Sequence, residues 1–82
     1  MDATTEEVME LVRGELPGAA GVGVDTPLSE VGLTSLGSVA LLVALERRFG
    51  LEFPPDLVTA ETFGSVRTMA DAVRSASSPS SG

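Results

Sequence analysis

The sequence predicts an all-α bundle: three main helices plus one short helix, with a long connection between the first and the second. Three observations lead there. Apolar residues recur at helical spacing in three separate stretches. Hydroxyl and acidic residues stand where these stretches begin, and glycine or proline where the first two end. A chain of 82 residues with 43% apolar content supports one core, and with no cysteine it has no disulfide to replace that core.

The first helix is expected to open on Thr4-Thr5-Glu6-Glu7, a capping box in which Thr4 caps and Glu7 reaches back to its amide. Val8, Leu11, Val12 and Leu16 then share a face, and Pro17-Gly18 stops the helix. Residues 17–34 form a connection punctuated by Gly18, Gly21, Gly23, Pro27 and Gly32. Its interspersed Val22, Val24, Leu28, Val31 and Leu33 imply that it is pinned to the core, because a loop this long is uncommon otherwise. The second helix spans roughly 35–49, capped by Thr34 and ended by Gly50, with Arg47 and Arg48 in its last turn. Phe53-Pro54-Pro55-Asp56 reads as a turn, and Thr59 caps a single helical turn through Phe63. Ser65 caps the last helix, where Val66, Met69, Ala70 and Val73 repeat at helical spacing. Residues 1–75 are thus the expected domain, and 76–82 a disordered Ser-rich tail.

Composition narrows the chemistry. Twelve acids against five bases, all arginine, give a formal charge of −7, and Cys, His, Lys, Trp and Tyr are absent. Without them the chain lacks a thiolate nucleophile, the usual general base and Schiff-base chemistry, so an unaided enzyme is not expected. Five scattered arginines do not make a nucleic-acid surface, and an anionic membrane would repel the chain. No apolar run approaches a membrane span, and the polar, acidic start is no signal peptide, so a cytoplasmic location is expected. Glu6, Glu7, Glu10 and Glu15 read as ordinary surface, Met9 and Met69 as packing, and Phe49, Phe53 and Phe63 as core anchors. Arg67 and Arg74 read as solvated.

The second helix carries more apolar surface than a bundle needs. At about 100° per residue, Ser38, Leu41, Leu42, Leu45 and Phe49 cluster on one side. Leu36, Val39, Ala40 and Val43 cluster on the other, with Glu46 and Arg47 at its lower end. Either the helix is buried all round beneath the long loop, or the second stripe is an interaction surface. Ser35 stands at the loop-to-helix junction, near the positive end of the helix dipole, where a phosphoryl group is favoured. Local sequence leaves open whether Ser35 is a modification site or shares capping with Thr34.

The string Asp25-Thr26-Pro27-Leu28-Ser29-Glu30-Val31-Gly32-Leu33-Thr34-Ser35-Leu36-Gly37-Ser38-Val39 resembles the acyl and peptidyl carrier protein family. Ala44 to Pro54 and Thr59 to Val66 look like its continuation, so the resemblance covers about residues 4–74. It implies a four-helix carrier bundle in which Ser35 receives 4′-phosphopantetheine from coenzyme A through a Mg-dependent phosphopantetheinyl transferase. The arm's thiol would hold biosynthetic intermediates as thioesters, and the missing nucleophiles are then explained, since the thiol is imported. Partners would be the transferase, an acyl- or aminoacyl-loading enzyme and downstream synthase domains, met through Leu36, Val39, Ala40, Val43, Glu46 and Arg47.

Two departures from the family pattern stand out. Thr34 occupies the position where the family most often has Asp, and the second helix is poor in the acids that commonly meet basic partner patches. Docking should therefore lean on Leu36, Val39 and Val43 more than on charge. The expected protein is a free-standing, monomeric acyl carrier of polyketide-type secondary metabolism such as antibiotic biosynthesis, with aminoacyl or peptidyl carriage in a nonribosomal peptide pathway as the alternative. Short or polar cargo is expected to stay outside so small a core. The rival from another class is an unmodified acidic helical adaptor that uses the same apolar stripe.

Overall fold

The structure is a computed structural model and describes residues 2–77. Its described residues hold three α-helices and no strand: α1 (Ala3–Glu15), α2 (Ser35–Phe49) and α3 (Val66–Ser77). Three short 3₁₀ turns, Pro17–Ala19, Leu28–Val31 and Pro55–Leu57, sit in the connections. The all-helical bundle is the predicted architecture. Helical structure continues through Ser77, and the rest of the expected tail lies outside the described residues.

α1 lies against both α3 and α2. Its inward face is Val8 and Val12, both fully buried, with Thr5 and Met9 beside them and Leu16 buried just past its end. α2 contributes Leu41 and Leu45, and α3 contributes Val66, Met69, Ala70, Ala72 and Val73. Met9 and Met69 are packing residues, as predicted. Phe53 and Phe63 are buried anchors and Phe49 packs half-buried against the same core.

The N-terminal cap differs from the expectation. Asp2, not Thr4, caps α1: its Oδ1 accepts the Thr5 amide at 2.8 Å, and its carbonyl accepts the Glu6 amide. A carboxylate is as good a cap as a hydroxyl, and with the start two residues earlier the buried Thr5 lies inside the helix. Glu7 is then well inside the helix, where it meets Arg48 of α2 at 3.4 Å instead of reaching back to a cap. The single helical turn expected at 59–63 is present, as a turn and not as a further α-helix. Thr59 caps it, its Oγ1 accepting the Thr62 amide at 3.1 Å, and only one turn closes before Gly64 and Ser65 begin the next cap. One turn fixes several dihedrals for a single hydrogen bond, so without further residues it does not propagate as helix. Ser65 caps α3 as expected, exchanging hydrogen bonds with Thr68 in both directions.

The long connection is pinned, as its apolar residues imply. Leu16, Ala19, Val22 and Leu28 are buried, and Val24, Val31 and Leu33 pack at the edge of the core. The Leu28 amide bonds to the Gly64 carbonyl and the Arg67 amide to the Val24 carbonyl, both at 2.9 Å. Gly18 lets the chain pass close to its own later turn, since a Cβ there would stand 2.8 Å from the Val31 carbonyl oxygen. Arg67 and Arg74 are not simply solvated. Arg67 pairs with Asp25 of the connection through both carboxylate oxygens, and Arg74 pairs with Asp2 at 2.7 Å and Asp71 at 2.8 Å.

The hydrogen bond from Arg67, with its charge, holds the Asp25 carboxyl below the ordinary aspartate value of 3.8. A carboxyl depressed by folding stabilises the clasp above its unfolded value, and that contribution is lost as pH falls through the lower, folded one. An NMR titration of Asp25 should give a midpoint below 3.8, and Arg67→Ala should return it toward that value. An unchanged midpoint in the variant would refute the pairing.

Candidate functional site

The site is built on the junction between the connection and α2. The Leu28–Val31 turn ends at Gly32, whose φ of +96° lies in the left-handed region that an L side chain rarely adopts. The Leu28 carbonyl accepts both the Gly32 and the Leu33 amides, which directs the chain toward the start of α2. Thr34 is the N-cap: its backbone is extended, and its Oγ1 accepts the Gly37 amide at 3.1 Å. Ser38 donates both its amide and its hydroxyl to the Thr34 carbonyl, at 2.9 and 3.1 Å. Gly50 closes the helix at its other end with a φ of +63°.

Ser35 is therefore the first residue inside α2. It is exposed, and its hydroxyl makes no hydrogen bond among the described residues. Capping falls to Thr34 alone, so the question left open by local sequence is answered in favour of a free hydroxyl. The first turn contains no acid, and its amides point toward Ser35 with the positive end of the helix dipole. Two open grooves meet there. One, of 280 Å³, runs between α2 and the 58–63 segment and is lined mainly by Val39, Leu42, Val58, Ala60 and Phe63. The other, of 350 Å³, lies on the loop side, against Ser29, Leu33, Thr34 and Gly64. Ser35, Ser38, Ala60 and Phe63 belong to both. An accessible hydroxyl, a positive helix end and an open groove fit a phosphate-linked arm attached at this residue. Among the described residues no group of His, Cys, Asp or Glu could hold a metal ion.

The second apolar stripe of α2 is not covered by the loop. Leu36 is 81% exposed, Val39 59% and Val43 43%, and Ala40 is exposed beside them. Val58, 46% exposed, extends the stripe across the groove. Val58 was not legible as part of this surface, because a lone valine after a Pro-Pro turn has no periodicity to mark it. Leu41 and Leu45 are fully buried on the opposite face, so the helix does have a core side and an outer side. Arg47 is exposed at the lower end of the stripe and forms no ion pair among the described residues.

Glu46 departs from the expected arrangement. Its side chain is half-buried, and its Oε2 accepts the Phe53 amide at 3.0 Å. It therefore fastens the segment after α2 to the helix, and its carboxylate is engaged within the chain. Nothing in the local sequence distinguishes such a glutamate from a surface one, because its partner is seven residues away across a turn.

The three-helix bundle with its pinned loop thus delivers an exposed, unengaged serine to the start of its second helix. Residues 6–73 match the family described as "Phosphopantetheine attachment site". The chain is 33% identical over 75 residues to an "Aminoacyl carrier protein" of Agrobacterium fabrum, covering 90% of this chain and 89% of the relative. It is 37% identical over 65 residues to "Aminoacyl carrier protein 1" of Bradyrhizobium diazoefficiens, covering 76% and 72% respectively. The chain belongs to the phosphopantetheine-binding carrier protein family, whose members bear a covalent 4′-phosphopantetheine.

Glu46→Ala should remove the acceptor of the Phe53 amide and destabilise the fold by about 1–3 kcal/mol. Chemical denaturation with far-UV detection measures it. A variant as stable as the parent would return Glu46 to the outer surface.

Proposed function

We propose that Ser35 is the attachment residue and that the chain carries aminoacyl cargo between a loading enzyme and downstream enzymes. The observation that carries the first part is the Ser35 hydroxyl: exposed, unbonded, at the first position of α2 and within the matched family span. With a transferase and Mg²⁺, Ser35 Oγ bonds to the phosphorus nearest the pantetheine of coenzyme A. The pyrophosphate bond breaks with its electron pair leaving on 3′,5′-adenosine bisphosphate, and the hydroxyl proton passes to solvent. The attached arm supplies a terminal thiol on which cargo is held. The chain's own residues do the rest: α2 holds the phosphate at its positive end, and the grooves beside Ser35 give the arm apolar and hydroxyl-bearing walls. Tethering raises the local concentration of cargo at each partner site.

Carriers of this family work with a phosphopantetheinyl transferase and with loading and synthase enzymes. Here Leu36, Val39, Ala40 and Val43 are the docking surface, with Val58 added and Arg47 at one end. Glu46 is set aside, since its carboxylate is committed to Phe53. The aminoacyl reading draws support from the names of both relatives, and from grooves that are open to solvent and suit short or polar cargo. Polyketide-type acyl carriage is the second reading, favoured by the apolar lining of the 280 Å³ groove. A cytoplasmic, monomeric, non-catalytic carrier completes the proposal. Among the described residues no helix is long and apolar enough to cross a membrane.

Two measurements test it. Incubation with coenzyme A, Mg²⁺ and a broad-specificity transferase should add one phosphopantetheine by intact mass, and Ser35→Ala should take none. A parent chain that stays unmodified with every transferase tried would favour the adaptor. Val43→Asp should slow loading of the modified carrier at least tenfold while the circular dichroism spectrum is retained. Collapse of the spectrum would instead make the stripe part of the core.

A further inference from the structure

Thr34 and Ser35 are adjacent hydroxyl residues at one helix start, and serine is at least as good an N-cap as threonine. Either could in principle cap α2, with opposite consequences for Ser35. In the structure Thr34 caps, with φ −108° and ψ 175°, its Oγ1 on the Gly37 amide. Ser38 holds the Thr34 carbonyl twice, through its amide and its hydroxyl. Of the three hydroxyls at this helix start, Thr34 and Ser38 are engaged and Ser35 is not. The β-branched threonine also prefers extended backbone, which suits the cap and resists being drawn into the helix.

We infer that Thr34 is a positioning residue for the attachment reaction: it occupies the cap, with Ser38 clamping its carbonyl, so that Ser35 cannot become the cap itself. This rests on the reading of Ser35 as the attachment residue. Were the cap to move by one, Ser35 would become extended and its Oγ would fold back onto the Ser38 amide. One lone pair of the oxygen would then be occupied by an N–H, and the hydroxyl would leave the mouth of the groove. The helix itself would lose little, because one cap replaces another. The effect would fall on the reactivity of the hydroxyl, and the docking stripe beginning at Leu36 would be left in place.

Steady-state attachment with coenzyme A, Mg²⁺ and a broad-specificity transferase tests this on Thr34→Ala, Thr34→Ser and the parent. Thr34→Ala should lower kcat at least tenfold with KM for the carrier within about twofold. Hydrogen exchange should show the Gly37 amide losing protection while the Ser38 amide keeps it. Thr34→Ser should restore kcat to within about threefold. A Thr34→Ala chain modified at the parental kcat overturns the inference and leaves Ser35 as the attachment residue. So does a fall in rate accompanied by a raised KM and loss of protection throughout α2, which marks Thr34 as structural only. A parent chain that accepts no adduct overturns the attachment reading and this inference with it.

Discussion

The arrangement depends on Leu28. Its side chain is fully buried, its amide bonds to the Gly64 carbonyl at the approach to α3, and its carbonyl accepts the amides of Gly32 and Leu33. One residue thus ties the long connection to the core, to the far end of the chain and to the turn that leads into α2. Burying a leucine side chain is worth about 1.5–3 kcal/mol, and satisfying its backbone groups avoids the cost of leaving them unpaired. The position of Ser35 follows from this anchor. A hydroxyl offered at a helix start is useful only if the helix start itself does not wander, and a connection of this length would wander without an internal fastening.

The second consequence concerns how a chain of charge −7 meets its partners. Much of its charge is engaged or lies away from α2. Arg67 holds Asp25, Arg74 holds Asp2 and Asp71, and Arg48 meets Glu7 and Glu10. Glu46, the acid of α2, is turned to the Phe53 amide. What α2 offers outward is Leu36, Val39, Ala40 and Val43, with Arg47 below them. In the proposed docking, recognition through such a face rests on apolar area and shape, so it is less sensitive to ionic strength than recognition through acids. The remaining charge keeps an exposed apolar stripe compatible with solubility.

Much of the molecule was legible before its structure. The bounds of α2, the caps at Thr34 and Ser65, the end of α1 within two residues of Pro17 and the pinning of the connection all matched. These are local signals: a cap acts within a turn, and an apolar repeat within a few. The misreadings share another cause. Asp2 displaced Thr4 as a cap where two competent residues stood close together, and tertiary contacts with Arg74 accompany the earlier start. Glu46, Arg67 and Arg74 found partners in Phe53, Asp25 and Asp2 that no spacing rule connects to them, whereas the Arg74–Asp71 pair follows helical spacing.

By itself, the sequence determined that Ser35 stands at the first turn of a helix, that this helix has two apolar faces, and that the chain has no Cys, His or Lys. Those properties reside in residue order and type. Which face remains outside, which hydroxyl is left unbonded and which distant residues wall the groove were decided only by the fold. Burial and hydrogen-bond partnership are set by neighbours in space, and Val58, Phe63 and Gly64 reach the Ser35 end of α2 from beyond a turn and a 3₁₀ segment.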